Sequence, residues 1–187
     1  MVWAWNTNHR SAHRIGIYYF SQCTFDFYPP PMSLEIERKF LVVSDEYRKL
    51  TEPVHYRQGY LAVLPDKVIR VRISGDTSFI TVKGRYSDTT RSEFEYEIPM
   101  RDAKAMLSDL CSQPQIEKKR FRIPFEGLIW EVDEFLGENA GLVMAEIELT
   151  QEDQPFIKPE WIGEEVTYDP RYRNSNLARN PFNTWNQ

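Results

Sequence analysis

Histidine is scarce in this sequence: of three, His9 and His13 fall in an atypical leading segment, leaving only His55 in the stretch that reads as folded. Histidine-ligated zinc sites, H-E-x-x-H chemistry and Ser/Cys-His nucleophile systems are therefore disfavoured. Cysteine is scarcer still, with Cys23 and Cys111 far apart and without metal-type spacing. That fits a reducing compartment and argues against a disulfide framework. The eight glycines form neither G-x-x-x-x-G-K-[ST] nor G-x-G-x-x-G, so any phosphate held here would be held by side chains. No apolar run approaches the ~18 residues needed to cross a bilayer, which predicts a soluble protein and, with the cysteine usage, a cytoplasmic one. The net charge of −5 gives no general attraction to nucleic acid or an anionic membrane. An anion site must then be a local gathering of Lys and Arg.

What is abundant is alternation. Leu34 to Val43 places Glu35, Glu37 and Lys39 on one face of a predicted strand and Leu34, Ile36, Phe40 and Val42 on the other. Successive members of the charged row stand ~6 to 7 Å apart at the usual strand rise. Such a row can hold a divalent cation through oxygen and offer a positive group to the anion it binds; it is also what a solvated strand face looks like.

The same pattern recurs down the chain. Strands are predicted over 54–64, with Tyr56, Gln58 and Tyr60 on one face, over 67–74 with Arg70 and Arg72, over 77–83 with Thr81 and Lys83, and over 91–98 with Glu93 and Glu95. Further strands fall at 115–124 with Lys118, Arg120 and Arg122, at 128–135 with Glu131 and Asp133, and at 142–150 with Glu146 and Glu148. Helices are expected over 44–50, 101–111 and 172–178, while 161–168 reads as extended or helical. Residues 1–31 differ in style, being rich in aromatics and closing on Pro29-Pro30-Pro31 directly before Met32. They read as an extension, through a misassigned start, a disordered tail or an aromatic arm, ahead of one domain over 32–187.

About eight strands in hairpin-compatible order predict a mainly β, α+β fold, an antiparallel barrel or sandwich with a few helices. Two arrangements of the charged faces are open: outward as ordinary surface, or inward to line a wet tunnel. Segregation of sign by strand, as in Arg-x-Arg, Lys-x-Arg and Glu-x-Glu, favours the tunnel.

Taken in order, E-x-E-x-K at 35–39, Arg70-x-Arg72, Lys83, Glu93-x-Glu95, Lys118-x-Arg120, Glu131-x-Asp133 and Glu146-x-Glu148 resemble the CYTH superfamily of triphosphate tunnel metalloenzymes over about residues 33–178. The resemblance implies an eight-stranded antiparallel β-barrel tunnel, a divalent metal (Mg²⁺ or Mn²⁺) and a linear triphosphate ligand. The short bacterial members it most resembles imply hydrolysis of inorganic tripolyphosphate. A class IV-type adenylate cyclase, a thiamine triphosphatase and a non-catalytic triphosphate- or polyphosphate-binding module stay open beside it. Within this reading Glu35, Glu37, Glu146 and Glu148 hold metal, and Glu95 and Asp133 serve as further ligands or their supports. Lys39, Arg70, Arg72, Lys83, Lys118 and Arg120 grip phosphoryl oxygens. Lys39 and Tyr60 form a catalytic pair, expected on adjacent strands, in which the ammonium lowers the phenol pKa toward neutrality. Arg171 and Arg173 precede a terminal helix that could cover one mouth. The partner is a small-molecule triphosphate, and a homodimer is compatible with the chain.

Overall fold

Alternation of charged and apolar side chains is realised as strands. In the computed structural model, which describes residues 36–85 and 91–185, β1 (Ile36–Val42), β2 (Val54–Val63), β3 (Lys67–Ser74), β4 (Thr77–Arg85) and β5 (Arg91–Glu97) precede helix α1 (Met100–Asp109). Then come β6 (Ile116–Phe125), β7 (Leu128–Phe135), β8 (Val143–Leu149), β9 (Ile162–Glu165) and the one-turn helix α2 (Asn174–Leu177). Glu35 and the expected extension 1–31 lie outside the described residues.

The predicted class holds: a mainly antiparallel sheet with few helices. Its nine strands run in the order β5-β4-β3-β2-β6-β7-β8-β1-β9. Two features go beyond the eight-stranded closed barrel. A ninth strand, short and weakly alternating, pairs with β1, and the order ends at β5 and β9 without ring closure among the described residues. The sheet nevertheless wraps around a cavity of about 680 Å³ to which each of β1 through β8 contributes.

Apart from Phe94 and Tyr96 of β5, which stay exposed, the apolar faces turn outward and are largely covered. On β1, β6, β7 and β8 they form a core of Phe40, Phe121, Trp130, Val132 and Ile147, over which pack Tyr47 from the 3₁₀ turn Glu46–Lys49 and Trp161 from the approach to β9. On β2, β3 and β4 the cover is α1, whose Ala103 and Leu107, one turn apart, meet Val71. Full burial of Leu107 contributes roughly 1.5–3 kcal/mol. The helix approaches β2 so closely that a Cβ at Gly59 would lie 2.7 Å from that of Cys111, so only glycine fits there.

The segment after β9 packs against the cavity wall, where Leu177 and Ala178 meet Tyr60, Ile116, Phe135 and Met144. Asn139 anchors the closing segment, donating to the Leu177 carbonyl at 3.4 Å and accepting from the Phe182 amide at 2.8 Å.

Candidate functional site

Strand parity sends every second side chain of β1 to β8 into the cavity, and register decides which of them meet. Across β1 and β8, Glu37 stands opposite Glu148 and Lys39 opposite Glu146; across β7 and β8, Glu131 stands opposite Glu146. One wall is therefore acidic with a single embedded ammonium. The facing strands supply Arg70 and Arg72 from β3, Lys83 from β4, and Lys118 and Arg120 from β6.

Lys39 is buried, and its Nζ lies 2.5 Å from Glu146 Oε1 and 2.6 Å from Glu37 Oε1. Burial works against the ammonium, but Glu146 and Glu37 more than offset it and hold the lysine above its ordinary value. Burial would likewise raise the Glu146 carboxyl, yet Lys39, Arg120 and Lys118 hold it well below the usual carboxylate range. Glu37 goes the other way: enclosure by protein and the nearby Glu146 push it up to about 7 against the pull of Lys39. Its side chain is 42% exposed, and the open part faces the lumen.

Asp133 has no exposed surface and is taken up entirely by cations. Lys118 donates to it, and Arg120 forks onto both of its oxygens at 2.6 Å. Arg120 also reaches Glu146 at 2.9 Å and donates to Glu131. Burial lowers the Lys118 pKa, with Arg120 adding to the effect, whereas the carboxylates around Arg120 overcome burial and raise its pKa well above the ordinary value. Both Asp133 oxygens are thus already engaged by Lys118 and Arg120.

Glu95 stands on β5 and accepts from Arg72 at 2.8 Å and from Thr81 at 2.6 Å. Lys83 pairs with Glu93 at 2.6 Å. The Nε donors of Arg70 and Arg72 are buried without a hydrogen-bond partner among the described residues. An acceptor oxygen in the lumen would relieve that cost.

Tyr60 departs from expectation. It shares the cavity with Lys39, but β1 and β2 are not neighbours, being separated in the sheet by β6, β7 and β8. Burial pushes its phenol up to about 12, although Arg70 and Lys39 pull it down. Its oxygen accepts from Gln58 at 3.1 Å.

Several lining residues were absent from the expected set. Glu131 carried the same strand signal as Asp133, while Tyr56 and Gln58 shared a face with Tyr60. Thr167, Tyr168, Asn174 and Ser175 come from the irregular closing segment, where no periodicity marks them. Of the two arginines before α2, Arg173 lines the cavity. Arg171 is instead held by Asp169 at 2.6 Å and lies 5.1 Å over the Trp185 ring.

The chemistry of the donors admits a hard divalent cation. Glu37 and Glu148 offer oxygens from directly opposed positions, and the proton affinity of Glu37, raised by burial first and by the neighbouring Glu146 second, marks a carboxylate whose charge a cation would stabilise. Among the described residues, which leave out Glu35, no three Asp, Glu, His or Cys side chains stand together as a ready cage.

Comparison with known proteins places these features in context. The profile of the CYTH domain matches residues 33–178. An inorganic triphosphatase of Acetivibrio thermocellus is 53% identical over 156 residues, covering 83% of this chain and 100% of that protein. An inorganic triphosphatase of Nitrosomonas europaea is 39% identical over 149 residues, covering 77% and 96%. Among solved structures, the crystal structure of an inorganic triphosphatase superposes with a TM-score of 0.58 at 37% identity, covering 77% of this chain and 93% of that one.

Proposed function

The chain belongs to the CYTH domain family, and from that premise we propose that it hydrolyses a linear triphosphate, inorganic tripolyphosphate first, in a divalent-metal-dependent reaction inside the β-walled cavity. The observation that carries the reading is the division of the lumen: opposed carboxylates on β1 and β8 facing Arg70, Arg72, Lys118 and Arg120. A polyanion with bound metal needs both, and a module that only gripped the anion would need the cations alone. The names of the two relatives support the same substrate.

Phosphoryl transfer asks for placement and charge neutralisation more than for covalent help. Arg70, Arg72, Lys83, Lys118 and Arg120 would bind the phosphoryl oxygens, the arginines by planar forks. Glu37 and Glu148 would hold Mg²⁺ or Mn²⁺, joined by Glu35 from the adjoining segment and by Glu146 where Lys39 yields it. When bound, the metal supplies charge neutralisation and a more acidic water. Glu95 and Asp133 would fix the cations from behind.

Lys39, charged throughout the neutral range, would stabilise charge building on the transferred group. Tyr60, neutral at the same pH, would donate a hydrogen bond to a phosphoryl or attacking oxygen; a phenol at about 12 is no base at pH 7. Among the described residues no helix is long and apolar enough to cross a membrane.

The test is phosphate release from tripolyphosphate, ATP, thiamine triphosphate and pyrophosphate with Mg²⁺ or Mn²⁺, with cyclic AMP assayed in the ATP reaction. Tripolyphosphate turnover that collapses on chelation is expected. Cyclic AMP without free phosphate, or silence despite tight triphosphate binding, would overturn the reading.

A further inference from the structure

Tyr56 occupies a place that gripping phosphate does not by itself explain. It projects from β2 into the cavity, directly opposite Lys118 on β6 by register. Its ring centroid lies 5.3 Å from the Arg120 guanidinium, 5.8 Å from that of Arg72 and 6.0 Å from Lys118 Nζ. All three fall within about 6 Å, the reach over which an aromatic face attracts a cation. They come from both sides of β2, since Arg72 is on β3 and the other two are on β6. Phe79 and Phe135 each meet one of these cations. Among the described residues, Tyr56 is the ring that meets all of them.

Cations gathered this closely repel one another, and the Arg72 pKa is lowered by burial and then by Arg70. Asp133 already holds Lys118 and Arg120 together, and Glu95 holds Arg72. The Tyr56 ring meets both groups; a carboxylate at position 56 would cancel more of the charge that the substrate needs, and an aliphatic side chain would not draw them at all. An aromatic ring attracts through its quadrupole and carries no net charge.

We propose that Tyr56 is a positioning residue whose ring face draws Arg72 to the Asp133-held pair Lys118 and Arg120, completing one polyanion grip without adding a counter-charge. The inference rests on the lumen being a triphosphate site. It assigns Tyr56 an effect on substrate affinity, exerted through the three cations.

The experiment replaces Tyr56 with Phe, with a series of increasingly fluorinated phenylalanines and with Leu. Fluorination weakens the ring quadrupole while nearly conserving shape, so a packing role would leave the series flat. Tripolyphosphate turnover and metal-free tripolyphosphate binding by calorimetry are both measured. Tyr56→Phe should match wild type, KM and Kd should climb with each fluorine, and Tyr56→Leu should raise KM on the order of tenfold with kcat within about twofold. A flat series beside an active wild type overturns the role of Tyr56 alone, as does a Tyr56→Phe variant that loses affinity as Tyr56→Leu does, which would point to the hydroxyl. A wild type that neither binds nor turns over tripolyphosphate removes the underlying reading, and the inference with it. Should Tyr56→Leu fail to fold, the fluorinated series still decides.

Discussion

The Lys39 ammonium stands 2.5 Å from Oε1 of Glu146, with both side chains almost wholly buried. By register the two residues are directly opposed on β1 and β8. Its value depends on company, because Glu146 is also held by Arg120 while Lys39 is also held by Glu37. Lys39→Ala should therefore cost less stability than the ~3 kcal/mol usual for a buried charge stripped of its partner. The loss in turnover should be larger, on the order of 10²-fold in kcat, since among the described residues Lys39 is the one cation that β1, β7 and β8 themselves turn into the lumen. Urea unfolding and steady-state kinetics on the same variant separate the two effects, and an unchanged kcat would remove Lys39 from the chemistry.

Metal dependence should distinguish Glu148 from Asp133. Glu148 lines the lumen opposite Glu37 and makes no hydrogen bond or ion pair among the described residues, whereas Asp133 is enclosed by Lys118 and Arg120. Glu148→Gln is expected to raise the Mg²⁺ concentration for half-maximal activity about tenfold with little change in stability. Asp133→Asn should destabilise by about 3–5 kcal/mol, leaving two buried cations short of a counter-charge, and should leave the metal requirement of the folded fraction unchanged. Titration of activity against Mg²⁺, beside thermal melts, reads both. A Glu148→Gln variant with normal metal dependence would exclude that carboxylate as a ligand.

What could be read from the chain beforehand follows from periodicity. Charged side chains at every second position in β1, β3, β6, β7 and β8 made the strands and their lumen-facing members visible, because a one-residue shift would have put Phe40, Phe121 or Ile147 in water. The spatial relation of Lys39 to Tyr60 was not visible, since strand order is a property of the whole sheet. Neither was the sign of the Tyr60 shift: burial decides it over Arg70 and Lys39, and burial depends on Leu177, Met144 and Phe135 arriving from distant segments. Thr167, just past the four-residue β9, and Asn174, at the start of the four-residue α2, were hidden for a simpler reason, as neither segment is long enough to carry a repeat.

The two buried tyrosines fix an alkaline limit. Burial raises Tyr47 to about 12, with Glu134 adding to it, and burial raises Tyr60 to about 12. Both phenols are ordinarily near 10, so the folded state binds these protons more tightly than the unfolded chain does. Their contribution to stability is complete below pH ~10 and is lost as the pH rises from about 10 to about 12. Tyr60→Phe should flatten part of that decline in denaturation midpoints measured between pH 9 and 12. Absorbance at 295 nm should show no tyrosinate assignable to Tyr60 at neutral pH; its appearance there would reinstate the phenol as a base.

Residues 32–187 should suffice for activity. The CYTH match begins at residue 33, and the triphosphatase of Acetivibrio thermocellus aligns over its whole length with 83% of this chain. Removal of residues 1–31 is expected to leave kcat/KM for tripolyphosphate within about twofold. A large loss on removal, measured under the same conditions, would give the extension a part in the site.

The two arginines flanking Tyr172 offer the sharpest contrast, because they are two residues apart and face different fates. Arg171 is spent outside the lumen, forked onto Asp169 and laid over Trp185. Arg173 lines the cavity and makes no ion pair among the described residues. A cation without a counter-charge at the wall of a polyanion site acts by long-range attraction, and that attraction is screened by salt over a Debye length of about 8–10 Å. Arg173→Ala should therefore raise KM for tripolyphosphate several-fold at low ionic strength, with the difference from wild type shrinking as salt is added. Arg171→Ala should leave KM and its salt dependence unchanged, and the loss of its exposed ion pair should have little effect on stability. Equal kinetic effects from the two substitutions would mean that charge near the closing segment matters without regard to the lumen, and would take Arg173 out of the substrate path.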